Sequence, residues 1–303
     1  MILFALEAFQ GLAAALEKAT GLTLGRFRVA RFENGELHVA VQTSVANEDC
    51  IILGSIAPPD EQLLSVLLLA HTLKKERARR VTAILPYLAY ARHDKDKPGE
   101  SLAAAWTGGL ARASGIDQVI TVDAHSERAQ QLFSIPVLSL SPAKVFAEAL
   151  HRHRLGEATI VAPDEGAIAR CEAVSKAAGR APGKTPYFEK HRTAEGITHS
   201  GPIGEVGRRA VIVDDILDTG GTLVSACEKL AQAGVEEIHV MVTHGLFTGE
   251  RWKKLWRLGV KRIFCTDSIP CSGGVDGNRI VRLPVAPLLA GELPASGAGL
   301  APR

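Results

Sequence analysis

The most informative segment of this 303-residue chain reads Ala210-Val-Ile-Val-Asp-Asp-Ile-Leu-Asp-Thr-Gly-Gly-Thr-Leu223. Its apolar start is typical of a buried strand, which runs into the acidic pair Asp214 and Asp215 and then into a turn at Gly220 and Gly221. The residues after the turn are suited to a helix. Because a strand joined to a helix by a short turn is the repeating unit of α/β proteins, the segment predicts that fold class.

The turn of this segment has the groups that bind a phosphate. Its two glycines let the backbone approach an anion, while Thr219 and Thr222 add hydroxyl donors. The helix that follows supplies free N–H groups and the positive end of its dipole. Asp214 and Asp215 lie at the carboxyl end of the strand, where open α/β sheets bind ligands, and can accept hydrogen bonds from sugar hydroxyls. A helix cap or a plain turn would explain each feature alone, but together they indicate a sugar-phosphate site.

Short β-rich runs alternate with helix-length amphipathic stretches along most of the chain. This alternation is the pattern of parallel strands joined by crossover helices. The predicted strands are Cys50–Ile56, Val81–Tyr87, Gln118–His125, Ala158–Asp164, Arg209–Ile216, Glu237–Gly245 and Arg262–Ile269. The chain is long enough for two domains, so we expect two mainly parallel sheets flanked by helices.

A hairpin is predicted near the start of the chain. Two β-rich runs, Arg26–Phe32 and Glu36–Gln42, flank the turn Glu33-Asn-Gly35. An Asn-Gly step between such runs is a strong hairpin signal because both residues tolerate positive φ. We expect an antiparallel flap in the first domain.

The domain boundary is placed near Ser139 to Pro142, where a loop follows Ile135-Pro136 and a new helix begins. This gives a first domain of residues 1–140 and a second of residues 141–284. The tail, residues 285–303, is expected to join the first domain, and the Gly, Ala and Pro content from Gly291 onward favours a loose end.

The charge and composition indicate a soluble protein with no nucleic-acid or membrane partner. The net charge is only +2, and the densest basic stretch, Lys74–Arg80, is typical of the solvated end of a helix. No apolar run reaches membrane-spanning length. Met1–Leu16 is apolar, but Glu7 and the lack of a basic n-region favour an amphipathic first helix over a signal peptide.

The cysteines favour a reducing compartment. They are odd in number, scattered and without the close pairs of a zinc site: Cys50, Cys171, Cys227, Cys265 and Cys271. We expect reduced, buried thiols and a cytoplasmic location.

From the hairpin near Arg31 through Pro270, the chain resembles the ribose-phosphate diphosphokinase family, whose members are also called phosphoribosyl diphosphate synthetases. Besides the segment quoted first, the matching motifs are Phe32-Glu-Asn-Gly-Glu36, Tyr90-Ala-Arg-His-Asp94, Asp123-Ala-His125, Ala162-Pro-Asp-Glu-Gly-Ala167 and Phe188-Glu-Lys-His-Arg192. The resemblance implies two phosphoribosyltransferase-like domains, of which only the second keeps the sugar-phosphate loop.

In the first domain the resemblance implies an ATP site. Phe32 would stack on adenine, with polar contacts from Asn34 and Glu36. Arg92 would face the ATP phosphates, and His93 stands where the family usually has glutamine. The implied ATP-binding residues are Phe32, Asn34, Glu36, Arg92, His93, Asp94 and His125.

In the second domain the resemblance implies a site for ribose 5-phosphate. Its residues would be Asp164, Asp214, Asp215, Asp218, Thr219, Gly220, Gly221 and Thr222. Lys190 and Arg192 would be catalytic, and on an extended strand residues two apart point to the same side. Mg²⁺ is the implied cofactor, with His125 and Asp164 as its implied ligands. Ala167 replaces a glycine of the family motif.

The implied reaction is magnesium-dependent transfer of the diphosphoryl group of ATP to the 1-hydroxyl of ribose 5-phosphate, giving phosphoribosyl diphosphate and AMP. One alternative is a phosphoribosyltransferase that attaches a base to the sugar, which leaves the matches in the first domain unexplained. Another is a non-catalytic relative that regulates a true synthetase, which would be expected to lose the catalytic cations or the sugar-phosphate loop.

Two departures from the family concern regulation and assembly. Phosphate-activated members carry Val-Arg-Gly and a serine-rich C-terminal motif, where this chain has Val45-Ala-Asn47 and Leu283-Pro-Val-Ala-Pro-Leu-Leu-Ala290. We therefore expect that phosphate is not an allosteric activator and that ADP inhibits mainly by competing with ATP. Since the family's regulatory site lies between subunits, the same departures argue against its hexamer. A homodimer or homotetramer is favoured because the flap would act most naturally against a neighbouring subunit.

Overall fold

A computed structural model describes residues 1–193, 196–270 and 279–293, without the side chains of residues 190–197. It divides the chain into two compact units. The first consists of Met1–Leu140 and the segment that starts at Ala286, and the second of Ser141–Val285.

The first unit is built on a parallel sheet of six strands. In chain order the strands of the unit are β1 Ile2–Ala5, β2 Thr23–Leu24, β3 Phe27–Arg31, β4 Leu37–Val41, β5 Asp49–Leu53, β6 Arg80–Ile84, β7 Gln118–Val122 and β8 Val137–Leu140. The order in the sheet is β2-β1-β5-β6-β7-β8, and β3 pairs with β4 separately. The helices are α1 Gln10–Thr20, α2 Asp60–Lys75, α3 Ala103–Ala113, α4 Glu127–Leu132 and, from the end of the chain, α9 Ala286–Ala290.

Burial explains why the central strands are apolar along their whole length. Every residue of β5 and of β7 is buried, as expected for parallel strands with helices on both faces. Helix α2 turns Leu63, Val66, Leu69, Ala70 and Leu73 inward at helical spacing. These side chains join the core cluster of the first unit.

The predicted flap is confirmed as the antiparallel hairpin of β3 and β4. The N–H of Phe32 donates to the carbonyl of Glu36 at 2.9 Å, and the N–H of Gly35 donates to the carbonyl of Phe32 at 2.8 Å. These bonds close a three-residue loop. Of the Asn-Gly pair, only Gly35 takes a positive φ, of 88°.

The second unit is built on a parallel sheet of five strands, in the order β15-β14-β13-β12-β9. The strands of the unit are β9 Thr159–Val161, β10 Tyr187–Thr193, β11 Gly196–Ile203, β12 Arg209–Leu217, β13 Glu237–Gly245, β14 Val260–Thr266 and β15 Ile280–Leu283. Strands β10 and β11 form a separate antiparallel hairpin. The helices are α5 Ala143–Arg152, α6 Ile168–Ala177, α7 Gly221–Gln232 and α8 Lys254–Arg257.

Strand β12 is held between two apolar layers. Ala210 and Ile212 pack into the cluster that contains residues of α7, while Val211 and Val213 pack into the cluster of α5 and α6. This alternation follows from the two-residue period of a strand. It fixes the strand so that the acidic residues after Val213 emerge at the carboxyl edge of the sheet.

The α/β fold class is confirmed, but two local predictions are wrong. Met1–Leu16 is not one helix, because Ile2–Ala5 form β1 between β2 and β5, and α1 begins only at Gln10. The predicted loop after Ile135-Pro136 includes the edge strand β8, which pairs with β7. Both strands have only four residues, too few for a two-residue period to be recognised.

Two expectations from composition can be compared with the described residues. Cys50, Cys171, Cys227 and Cys265 are buried and form no disulfide within the described residues, whereas Cys271 lies outside them. Within the described ranges, no helix is both long and apolar enough to cross a membrane.

Candidate active site

The turn after β12 has the backbone geometry of an anion site. Gly220 has a φ of 86°, and α7 begins at Gly221. A Cβ atom on Gly220 would lie 2.8 Å from the Cα of Trp252, so both the conformation and the available space require glycine. The carbonyl of Gly220 accepts the N–H of Val224 at 2.8 Å, which starts the helix. The N–H groups of its first turn have no partner within the helix and are suited to an anion.

The side chains of the turn can supplement these N–H groups. Thr219 is exposed and Thr222 is half-buried, so both hydroxyls lie at or near the surface beside the start of α7. Asp218 is also half-buried, and its carbonyl accepts the N–H of Thr248 at 3.2 Å. The predicted residues 218–222 therefore form one continuous turn.

A cluster of carboxylates lies at the same edge of the sheet. Asp214 directly follows the buried residues Ala210–Val213 of β12, and its Oδ1 accepts the N–H of Asp215 at 2.9 Å. Asp164 follows β9, which is parallel to β12 and adjacent to it. Burial raises the pKa of Asp214 well above its usual range, and the charges of Asp215 and Asp164 add to this rise. Arg170, with its guanidinium 3.9 Å from Asp214 Oδ1, partly offsets it.

The carboxylate cluster fits a divalent cation that is held largely by a substrate. In the parts of the chain that the structure describes, no group of three or more His, Cys, Asp or Glu residues is arranged to hold a metal. Mg²⁺ commonly uses one or two carboxylates together with substrate phosphates and water. Asp164, Asp214 and Asp215 offer such oxygens, and their mutual repulsion would fall on binding a cation. His125, the other implied metal ligand, belongs to the first unit.

In the first unit, the hairpin presents an exposed aromatic ring. Phe32 is 55% exposed, and its ring centroid lies 5.2 Å from that of His38. Asn34 Oδ1 accepts the N–H of Glu36 at 3.1 Å, so this oxygen stabilises the turn. The ring of Phe32 is free to stack on a planar ligand.

A buried carboxylate joins two loops that carry predicted ATP-binding residues. Asp94 is only 7% exposed, and its Oδ2 accepts the hydroxyl of Ser126 at 2.6 Å. The same Ser126 oxygen accepts the N–H of Ala129 at 2.9 Å and so caps α4. His125, which is exposed, directly precedes this cap. The link between Asp94 and Ser126 therefore fixes the segment that ends at Asp94 beside His125.

The side chains just before Asp94 lie at the surface, in contrast to its buried carboxylate. Arg92 and His93 are exposed. Arg128 Nε donates to the carbonyl of Asp94 at 2.7 Å and strengthens the connection between the loops. That Asp94 contacts ATP stays a prediction, and its Oδ2 is already bonded to Ser126 inside the unit.

The two predicted catalytic cations lie only partly within the described structure. The backbones of Lys190 and Arg192 belong to β10, opposite His199 and Ile197 of β11. Their side chains lie outside the described residues.

Three residues that the sequence did not indicate contribute to these sites. Arg170 lies against Asp214, Trp252 packs behind Gly220, and Ser126 links Asp94 to α4. Each acts through a contact with a residue far away in the chain, so no local motif contains it. Only for Ser126 was there a signal, because a serine before a helix-forming stretch is a common N-cap.

Comparisons with known proteins cover both units. A family model described as the N-terminal domain of ribose phosphate pyrophosphokinase matches residues 1–115. A second, described as a phosphoribosyl transferase domain, matches residues 143–271. If the protein were a phosphoribosyltransferase, the match of residues 1–115 to the pyrophosphokinase domain would be unexplained.

Similar proteins match over most of the chain. The ribose-phosphate pyrophosphokinase of Cereibacter sphaeroides is 34% identical over 284 residues, covering 91% of this chain and 84% of that protein. The ribose-phosphate pyrophosphokinase of Bacillus caldolyticus is 30% identical over 292 residues, covering 95% and 92%. The crystal structure of phosphoribosylpyrophosphate synthetase from Mycobacterium smegmatis matches with a TM-score of 0.85 and 28% identity over 96% of both chains. The chain belongs to the ribose-phosphate pyrophosphokinase family of enzymes, also called ribose-phosphate diphosphokinases.

Proposed function

We propose that this enzyme transfers the diphosphoryl group of ATP to the 1-hydroxyl of ribose 5-phosphate, with Mg²⁺, and releases phosphoribosyl diphosphate and AMP. The observation that carries the proposal is the turn after β12, where an anion site at the start of α7 adjoins the carboxylates of Asp214 and Asp215. Membership of the family supplies the reaction class.

The second unit binds ribose 5-phosphate in this proposal. The 5-phosphate lies against the N–H groups of α7 and the hydroxyls of Thr219 and Thr222. The ribose hydroxyls donate to Asp214 and Asp215, whose oxygens lie at the same edge of the sheet. Asp164 borders this position from the neighbouring strand, and Asp218 lies within the turn itself.

The first unit binds ATP. Phe32 stacks on the adenine, while Glu36 and the amide of Asn34 make polar contacts. Arg92, His93 and His125 are exposed and face the polyphosphate. Asp94 holds these residues in place through Ser126.

The reaction requires positioning and charge neutralisation more than covalent work by the protein. The 1-hydroxyl oxygen attacks the β-phosphorus of ATP. The bond between that phosphorus and the oxygen that bridges it to the α-phosphorus breaks, and AMP leaves with this oxygen. Lys190 and Arg192, two apart on β10, neutralise negative charge on the group in transfer. When bound, Mg²⁺ neutralises charge on the phosphate oxygens.

Regulation and assembly complete the proposal. We infer that phosphate is not an allosteric activator, because Val45-Ala-Asn47 and the stretch Leu283–Ala290 lack the arginine and serines that phosphate-activated members carry. ADP then inhibits mainly by competition with ATP. The same departures favour a homodimer or homotetramer over a hexamer, and the reduced cysteines favour a cytoplasmic enzyme.

The decisive experiment measures AMP formed from ATP and Mg²⁺ by the purified protein, with and without ribose 5-phosphate. AMP that appears only with the sugar supports the proposal. If no AMP forms but the protein binds phosphoribosyl diphosphate, a transferase or regulatory role replaces it.

A further inference from the structure

A second loop lies directly against the sugar-phosphate turn. It runs from Leu246 to Lys253, between β13 and α8. The N–H groups of Leu246 and Phe247 donate to the carbonyl of Leu217 at 2.9 and 3.1 Å. The N–H of Thr248 donates to the carbonyl of Asp218 at 3.2 Å. The start of the sugar-phosphate turn is therefore hydrogen-bonded to this loop.

Trp252 places the same loop behind Gly220. The three atoms nearest to a Cβ built on Gly220 all belong to Trp252, at 2.8, 2.9 and 3.3 Å. Trp252 is only 4% exposed, and its Nε1 donates to the carbonyl of Gly249 at 3.0 Å. The three atoms are the backbone N and Cα of Trp252 and its Cβ, so the backbone of the loop lies against Gly220, while the indole is buried and hydrogen-bonded within the loop itself.

Stacked side chains anchor Trp252 on both sides. Its ring centroid lies 4.9 Å from that of Phe247 and 6.2 Å from that of Trp256. The guanidinium of Arg282 lies 5.5 Å from the Phe247 ring, and that of Arg279 lies 4.0 Å from the Trp256 ring. Cation–π contacts at both ends tie this stack to the segment that contains β15.

The shape of the loop is tightly determined. Phe247 has a φ of 54°, a conformation that residues other than glycine seldom adopt. A Cβ on Gly245 would lie 2.5 Å from the Phe247 ring, so only glycine allows that close approach. Surrounding contacts must hold such a backbone in place, and they give the loop a single position against Gly220.

We propose that Trp252 is a positioning residue for ribose 5-phosphate: its anchored indole holds the loop backbone against Gly220, which aims the N–H groups at the start of α7. The inference rests on the proposed function, because it assigns the sugar phosphate to this turn. Anion binding by backbone N–H groups is directional, and a glycine without its support has many alternative conformations. Trp252 itself does not touch the substrate.

The test compares Trp252→Ala with Trp252→Phe and with Trp256→Ala. Trp256→Ala is the matched control, since it removes one ring of the stack while Trp252 keeps its closer contact with Phe247 and its hydrogen bond to Gly249. Ribose 5-phosphate binding is measured by calorimetry without ATP, alongside thermal stability and the KM values of both substrates.

Trp252→Ala is expected to weaken ribose 5-phosphate binding by about tenfold to a hundredfold, the range that corresponds to the loss of one hydrogen bond to a charged group. The KM for ATP should stay within about twofold. Trp252→Phe should restore most of the affinity because it keeps the stack. Trp256→Ala should lower the melting temperature without changing the affinity for the sugar phosphate.

Two results would overturn the inference. One is unchanged sugar-phosphate binding in Trp252→Ala, and the other is equal weakening in Trp256→Ala, which would indicate general destabilisation. If the unmodified protein fails to bind ribose 5-phosphate, the proposed function itself is wrong and the inference fails with it.

Discussion

Replacement of Ser126 by alanine tests how the first unit organises its proposed ATP site. The Ser126 oxygen caps α4 through the N–H of Ala129 and donates to the buried carboxylate of Asp94. Alanine removes both interactions at once. Asp94 then stays buried without the donor that lay 2.6 Å from its Oδ2.

The expected loss of stability follows from these two contacts. Loss of a serine cap costs about 1 kcal/mol of unfolding free energy. Loss of a hydrogen bond to a charged group costs about 1.5–3 kcal/mol. We therefore expect Ser126→Ala to destabilise the first unit by about 2.5–4 kcal/mol. Because the segment that ends at Asp94 loses its attachment, the KM for ATP should rise about tenfold while the KM for ribose 5-phosphate stays unchanged.

Tryptophan fluorescence during urea unfolding can isolate the first unit. The chain has three tryptophans. Trp106 lies in the first unit, so a Trp252→Phe, Trp256→Phe background reports unfolding of that unit alone. As a control, Ser126→Asp keeps an N-cap acceptor but places a second carboxylate against Asp94. A loss below about 0.5 kcal/mol in Ser126→Ala, or full stability in Ser126→Asp at pH 7, would refute the reasoning.

Four further predictions concern catalysis, pH and regulation. Lys190→Ala should lower kcat about 10²–10³-fold with little change in KM, whereas the exposed Lys184→Ala should not, as steady-state assays can show. Because burial raises the pKa of Asp214, the folded protein keeps the proton of this carboxyl at pH values above 3.8, where the unfolded chain releases it, and the free energy of unfolding therefore falls as pH rises. Asp214→Asn should raise the melting temperature at pH 7 and lower turnover about tenfold or more. Burial lowers the pKa of His239, so as pH falls below about 6.5 the unfolded chain binds a proton at this residue more readily than the folded one, and the second unit loses stability. His239→Gln should reduce this dependence of the melting temperature on pH. A phosphate titration at fixed Mg²⁺ should show no activation, and strong activation would contradict the proposed regulation.

Sequence patterns were sufficient where a segment is long and its environment is uniform. Strand β13 has the predicted bounds, Glu237–Gly245, and every residue after Glu237 is buried, as in a central parallel strand with helices on both faces. The hairpin was predictable from its Asn-Gly step. By contrast β1, β8 and β15 have four residues each, and their identity depends on the neighbouring strands with which they pair.

The candidate site shows the same division between local and distant causes. The turn from Asp214 to Thr222 could be predicted because strand, glycine turn and helix start are consecutive in the chain. The contact of Trp252 with Gly220 and the bond from Ser126 to Asp94 could not, since each joins residues about 30 apart. The family resemblance implied that Asp94 binds ATP, which stays a prediction; its burial and its bond from Ser126 could not be predicted from the motif.

The arrangement of charge around the turn argues for a sugar phosphate over a simple anion. The start of α7 attracts negative charge, but Asp214, Asp215 and Asp164 lie at the same edge and repel it. A free phosphate would experience both effects, whereas a ligand with hydroxyls at one end and a phosphate at the other satisfies both ends of the site. Burial, followed by the charges of Asp215 and Asp164, raises the pKa of Asp214, so its ionised form is unfavourable in the absence of such a ligand. A site that lowers the stability of its own fold in this way is best explained by the donors or cations that arrive with the substrate.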